Sequence, residues 1–115
     1  MEFQTLVFSS DKSEQYTITF KSDNDFTSIN CTCKAGWSKV NCKHRFSLLE
    51  HDFSGLVNRG DESKISEIIS NINFEEITNY KEALAEIDKT IKTLNDHKKR
   101  LNKDFGALLS NGFTN

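Results

Sequence analysis

Of the 115 residues only three are cysteine, none is proline, and no apolar run approaches the roughly 18 residues that a membrane span requires. The missing apolar run excludes a membrane-spanning helix. Met1-Glu2-Phe3-Gln4 lacks the basic-then-apolar order of a signal peptide, so a chain that is not secreted is expected, cytoplasmic with the nucleus also open to it. An odd cysteine count fits a disulfide framework poorly and fits a metal site in a reducing compartment well. Charge of one sign is also lacking. The net charge is −2, residues 1–60 carry seven basic and seven acidic groups, and residues 61–115 carry eight and ten. Bulk charge therefore cannot drive nucleic-acid binding, and any such contact must come from a local patch. The absence of proline carries no functional weight. No G-x-x-x-x-G-K-[ST] phosphate loop is present, nor a Ser/His/Asp set, a Cys/His nucleophile or paired carboxylates in a recognisable context, so enzyme activity is not expected.

What is present is concentrated in Cys31-Thr32-Cys33-Lys34-Ala35-Gly36-Trp37-Ser38-Lys39-Val40-Asn41-Cys42-Lys43-His44, which holds every cysteine and one of the three histidines. Two soft donors two residues apart, a gap, then two more at the same spacing supply the four ligands of a tetrahedral Zn²⁺ site. Cys31, Cys33, Cys42 and His44 are the expected ligands of one structural zinc per chain. A Cys₃His set fills the coordination sphere and leaves no position for a catalytic water. Residues 1–60 alone would bury only about 60% of their unfolded surface, a regime in which a metal often supplies the missing stability.

The flanking pattern predicts an α+β fold. Residues 3–8 and 15–21 are rich in aromatic and β-branched types, and Tyr16, Ile18 and Phe20 alternate with polar neighbours as in a half-buried strand. Turn-forming residues at 9–14 and 22–25 imply a small antiparallel sheet, with a third strand at about 26–33 running into the first cysteines. Side chains at i and i+2 of a strand share a face, so Cys31 and Cys33 aim at one point. Phe46, Leu49 and Phe53 fall at helical spacing, which places His44 in the first turn of a short helix tied by zinc to the sheet.

Beyond this module, expected to span 1–54, residues 55–73 read as a linker and a short helix. Gly55 and Gly60 bracket the linker, Asp61 is the expected N-cap, and Ile65, Ile68, Ile69 and Ile72 lie on one face. A long helix over 74–110 follows, with Asn73 and Glu76 as a capping box and Asn111-Gly112 as the stop. A short tail, 111–115, completes the chain. Ile77, Tyr80, Leu84, Ile87, Ile91, Leu94, Leu101, Phe105 and Leu108 hold a 3-4 spacing, broken only by Lys98, over more than four heptads. Such a coiled-coil-like seam needs a partner: its own copy in a homodimer, which is the expected one, the Ile65–Ile72 helix folded back along part of it, or another protein. The flanking positions leave helix orientation open.

The pattern C-x-C, a short gap, then C-x-H leading into an apolar helix resembles the SWIM-type zinc finger. That likeness covers about residues 16–50. It implies the same four ligands, a small sheet followed by a helix, and binding to DNA or protein. Around the site Lys34, Lys39, Lys43 and Arg45 occur with no acidic residue between Asp25 and Glu50, and Trp37 sits among them. Two readings of this patch stand open: a nucleic-acid surface in which the cations contact phosphates and Trp37 stacks on a base, or a solvated loop in which Trp37 covers the metal. The corresponding functions are nucleic-acid binding, with DNA the first candidate, and a protein-interaction adaptor. The cluster Lys98-Lys99-Arg100 with Lys103 reads as a solvated helix face favoured by the helix dipole. His51 and His97 have no ligand partner at metal spacing.

Overall fold

Alternating side chains build the sheet. In the computed structural model, which describes residues 1–115, β1 (Glu2–Phe8), β2 (Gln15–Ser22) and β3 (Thr27–Cys31) pair antiparallel in the order β1-β2-β3. The register sets Thr5 opposite Ile18, Ile18 opposite Cys31 and Phe20 opposite Ile29. One face therefore buries Thr5, Val7, Ile18, Phe20 and Cys31, while Glu2, Gln4, Lys21, Ser28 and Asn30 lie exposed on the other, the division of a sheet covered on one side. The β1–β2 turn is held by Asp11 Oδ1, which accepts from Ser9 Oγ, Ser13 N–H and Ser13 Oγ at 2.7–3.0 Å. Asp23 Oδ1 does the same work after β2, accepting from the Asp25 and Phe26 N–H groups at 2.8 Å.

Two short helices follow: α1 (Lys34–Trp37) and α2 (Lys43–Leu49). The third strand ends two residues sooner than the sequence pattern predicts, because Cys33 leaves the sheet to cap α1. Leu48 on α2 and Phe53 beyond it join the buried set.

Residues 55–60 do not form the free linker that their glycines imply. Phe8 N–H donates to Gly55 O and Val57 N–H to Leu6 O, so this segment runs along the open edge of β1. The reason is Leu56, an apolar side chain only 3% exposed. A 3₁₀ turn at Arg59–Asp61, capped by Asn58 Oδ1, leads into α3 (Glu62–Ser70), whose Ile65, Ile68 and Ile69 are buried. Asp61 stands at the N-cap position of α3 but makes no capping bond. Its Oδ2 accepts instead from the buried Thr5 hydroxyl at 2.8 Å, tying the start of α3 to β1. The compact unit accordingly reaches from Met1 to Ile72, past the boundary expected at residue 54.

The second unit, Asn73–Asn115, is one helix and its tail. α4 (Glu75–Asn111) runs for 37 residues, about 55 Å at 1.5 Å per residue. Asn73 Oδ1 accepts from Glu75 N–H, and Gly112, at φ +104°, ends the helix with its N–H on Leu108 O. No residue of α4 is buried. Tyr80, Leu84, Ile87, Ile91, Leu94, Leu101, Phe105 and Leu108 are all exposed, so the predicted seam is open along the helix. No helix of the chain is long and apolar enough to cross a membrane.

Candidate metal centre

Each ligand candidate sits where an element begins or ends. Cys31 closes β3, Cys33 caps α1, Cys42 caps α2 and His44 lies in the first turn of α2. Three structural elements thus converge, and the three sulfurs and a ring nitrogen of His44 lie within 4.8 Å of one another. Cys31 Sγ is 3.9 Å from His44 Nδ1. All three cysteines are free and buried.

Backbone donors surround the sulfurs. Gly36 N–H donates to Cys33 Sγ at 3.3 Å and Arg45 N–H to Cys42 Sγ at 3.4 Å. Such contacts orient the ligand. Burial pushes the Cys31 thiol up to about 12, with the adjoining Cys33 and Cys42 sulfurs adding to the rise. At Cys42 burial also opposes ionisation, but the bonds and charge of Arg45 outweigh it and hold the thiol below its ordinary value. Burial, with the Lys43 charge adding, holds His44 below its ordinary value, so the imidazole is neutral and able to bind a metal.

His44 Nε2 is buried without a hydrogen-bond partner. Nδ1, the ring nitrogen that faces Cys31 Sγ, is the one placed to join the three sulfurs around a metal ion. The donor set therefore fits a metal, with Cys31, Cys33, Cys42 and His44 as the residues that can hold it.

Gly36 is a supporting residue that the ligand spacing alone did not reveal. A Cβ built there would stand 2.0 Å from the Cys31 carbonyl oxygen and 3.0 Å from Cys31 Cβ. Only glycine lets α1 lie this close to the end of β3. Its sequence signal was a lone glycine three residues after Cys33, inside the metal loop. Tyr16 is the other. Its ring packs on His44 with centroids 5.0 Å apart, and its hydroxyl donates to Glu14 Oε2 at 2.8 Å. The alternation of β2 placed Tyr16 on the buried face, but only the ring contact shows it against His44.

The basic patch is unevenly placed. Lys34, Lys39 and Trp37 project from α1 and its following turn, with Trp37 75% exposed. Trp37 therefore does not cover the metal ligands, and Tyr16 supplies the aromatic contact to His44. Lys43 Nζ donates to Ser10 Oγ across the β1–β2 turn. Arg45 spends two donors inside the module, with Nη1 on Ile29 O at 3.2 Å and Nη2 on Val40 O at 2.5 Å, lacing α2 to β3 and to the metal loop. The loop itself is closed by Lys39 N–H to Gly36 O and Val40 N–H to Ala35 O, with Lys39 in the left-handed region at φ 57°. His51 likewise has φ 59°, at the end of α2, and its ring meets the edge of Phe53. The residues of the α4 seam share one stripe of the second unit. Comparison with protein-family models, curated proteins and solved structures finds no match to this chain, so the likeness to SWIM-type fingers rests on the ligand pattern and the order of sheet and helix.

Proposed function

We propose that Cys31, Cys33, Cys42 and His44 hold one structural Zn²⁺, and that the chain is a non-catalytic recognition module which binds nucleic acid, with DNA the first candidate, and self-associates through α4. When bound, the zinc supplies a four-way cross-link among β3, α1 and α2 with its coordination sphere filled by protein ligands. Metal analysis of purified chain is expected to give one zinc. Zinc-free protein that is fully folded would refute this part.

The observation that carries the recognition reading is Trp37, exposed on a one-turn helix between Lys34 and Lys39. An indole held out on a rigid support with cations at either side suits base stacking coupled to phosphate contact. The cations counted are fewer than the sequence offers, because Arg45 is committed to backbone carbonyls. Gel-shift assays at about 50 mM salt, with single- and double-stranded probes side by side, test the reading. Binding is expected to weaken in Trp37→Ala and to vanish in Lys34→Glu/Lys39→Glu, and affinity should fall steeply with salt. Failure of the zinc-loaded wild type to retard either probe would overturn it.

A second reading is favoured by Val40, 57% exposed on the same loop as Trp37. Two exposed apolar side chains on one loop suit a pocket on another protein, and on that reading neither probe shifts.

A further inference from the structure

Charge is divided along α4. Residues 75–88 carry five acidic groups and one basic, while residues 89–104 carry six basic and two acidic, so the two halves have net charges of −4 and +4. Favourable placement in the helix dipole explains only the first turn, where Glu75 and Glu76 lie. The dipole effect fades within one turn of each end, and the last turn of α4 holds no basic residue. The basic block from Lys89 to Lys103 therefore sits mid-helix, where the dipole gives it no reason to be.

Resting on the reading that α4 self-associates, we propose that it pairs antiparallel with a second copy of this chain. In that arrangement the acidic residues 75–88 of each helix lie along residues 97–110 of the other, which hold Lys98, Lys99, Arg100 and Lys103. The seam agrees. With Ile91 level with Leu94 of the second copy, Leu84 meets Leu101 and Ile87 meets Lys98, and every remaining layer is apolar on both sides. A parallel pair in register would instead set Lys98 directly against Lys98 of the second copy, acidic half along acidic half and basic along basic. In the antiparallel pair Lys98 reaches the neighbourhood of Asp88 of the second copy. The occupant of the exposed seam is thus identified by charge complementarity: a second α4, reversed. The N-termini of the two helices then lie at opposite ends of the pair.

The test uses the zinc-loaded full chain in sedimentation equilibrium. At about 50 mM salt the wild type is expected to be a dimer that weakens as salt rises, because attraction is being screened. Lys98→Glu/Lys99→Glu/Arg100→Glu should weaken dimerisation by about tenfold or more, and adding Glu86→Lys/Asp88→Lys to the same chain should recover most of the loss. In a parallel pair the first variant merely replaces base against base by acid against acid, leaving the affinity unchanged, and salt strengthens the wild-type dimer. Either result, with helical content intact by circular dichroism, overturns the antiparallel arrangement while leaving self-association standing. A wild-type monomer at ~100 µM, well above the affinity of a stable coiled-coil dimer, overturns both.

Discussion

Replacing Gly36 by alanine adds one methyl group at the tightest point of the metal loop. That methyl would stand 2.0 Å from the Cys31 carbonyl oxygen, 2.8 Å from its carbonyl carbon and 3.0 Å from its Cβ. Ordinary non-bonded carbon contacts lie near 3.5–4.0 Å, so α1 and the end of β3 must separate by more than about 1 Å. None of the three neighbours is the flexible end of a side chain that can swing away. Overpacking of this kind costs about 1–3 kcal/mol, and here the upper end applies. Alanine's helix preference over glycine returns up to about 1 kcal/mol, leaving a net loss of about 2 kcal/mol.

The displacement also reaches the metal. Gly36 N–H donates to Cys33 Sγ, and Cys31 and Cys33 are both ligand candidates, so moving α1 from β3 parts two donors at once. Loss of an outer contact to a metal ligand typically costs 10–100-fold in affinity. Competition with a chromogenic chelator should show zinc affinity lowered by at least tenfold, and thermal unfolding at saturating zinc should fall by on the order of 10 °C. Gly55→Ala serves as the control, because nothing lies within 4 Å of the added Cβ. Gly36→Ala that matched Gly55→Ala in both measurements would refute the close approach on which the clash is calculated.

Arg45→Lys keeps the charge but loses the fork that reaches Ile29 O and Val40 O together; a loss of about 1–3 kcal/mol by urea denaturation is expected, with faster proteolysis in the loop, and an unchanged midpoint would show those bonds to be idle. The Asp11 carboxyl is held down to about 2 by the Ser13 hydroxyl and N–H and by Ser9. A depressed folded-state value means that its stabilisation is fully present above the unfolded value and is lost as pH falls through about 2. Asp11→Asn should therefore lower the melting temperature by the same amount at every pH from about 5 to 8, and a deficit that changes across that window contradicts the assignment. Cys42→Ser removes a ligand and the cap of α2 in one step; loss of zinc and of the slow-exchanging amides of β2 and β3 is expected by hydrogen exchange, while helical content from α4 remains.

The cluster of Cys31, Cys33, Cys42 and His44 was legible because metal chemistry restricts both donor type and spacing, and the strands because one-sided burial forces alternation at Tyr16, Ile18 and Phe20. α4 announced itself through a repeat too long to arise from a buried helix. What escaped were features set by tertiary neighbours. A four-residue helix such as α1 has no periodicity to detect, and Gly36 is intelligible only once β3 is known to pass beneath it. Asp61 is a competent N-cap by type, yet Thr5, 56 residues away, claims its carboxylate. Leu56 between two glycines looks like part of a linker until the open edge of β1 is seen to need a partner. Arg45 is a cation in a basic stretch, and only the fold discloses that two backbone carbonyls already hold it.

This last substitution of roles narrows where recognition can occur. A zinc loop whose every cation faced outward would offer a diffuse positive surface, competent for phosphate alone. Here two backbone carbonyls hold Arg45 and the exposed Lys43 engages Ser10, which leaves Lys34, Trp37, Lys39 and Val40 exposed on a loop closed by its own backbone bonds. Rigid presentation of one aromatic costs little entropy on binding, whereas a flexible loop would forfeit about 0.5–1.5 kcal/mol for each side chain that it must order. Arg45, together with the proposed zinc when bound, fixes the loop before any partner arrives. Single sites of this size bind weakly, and reach useful affinity when two are joined at a defined separation. On the proposed self-association, the α4 seam is that joint.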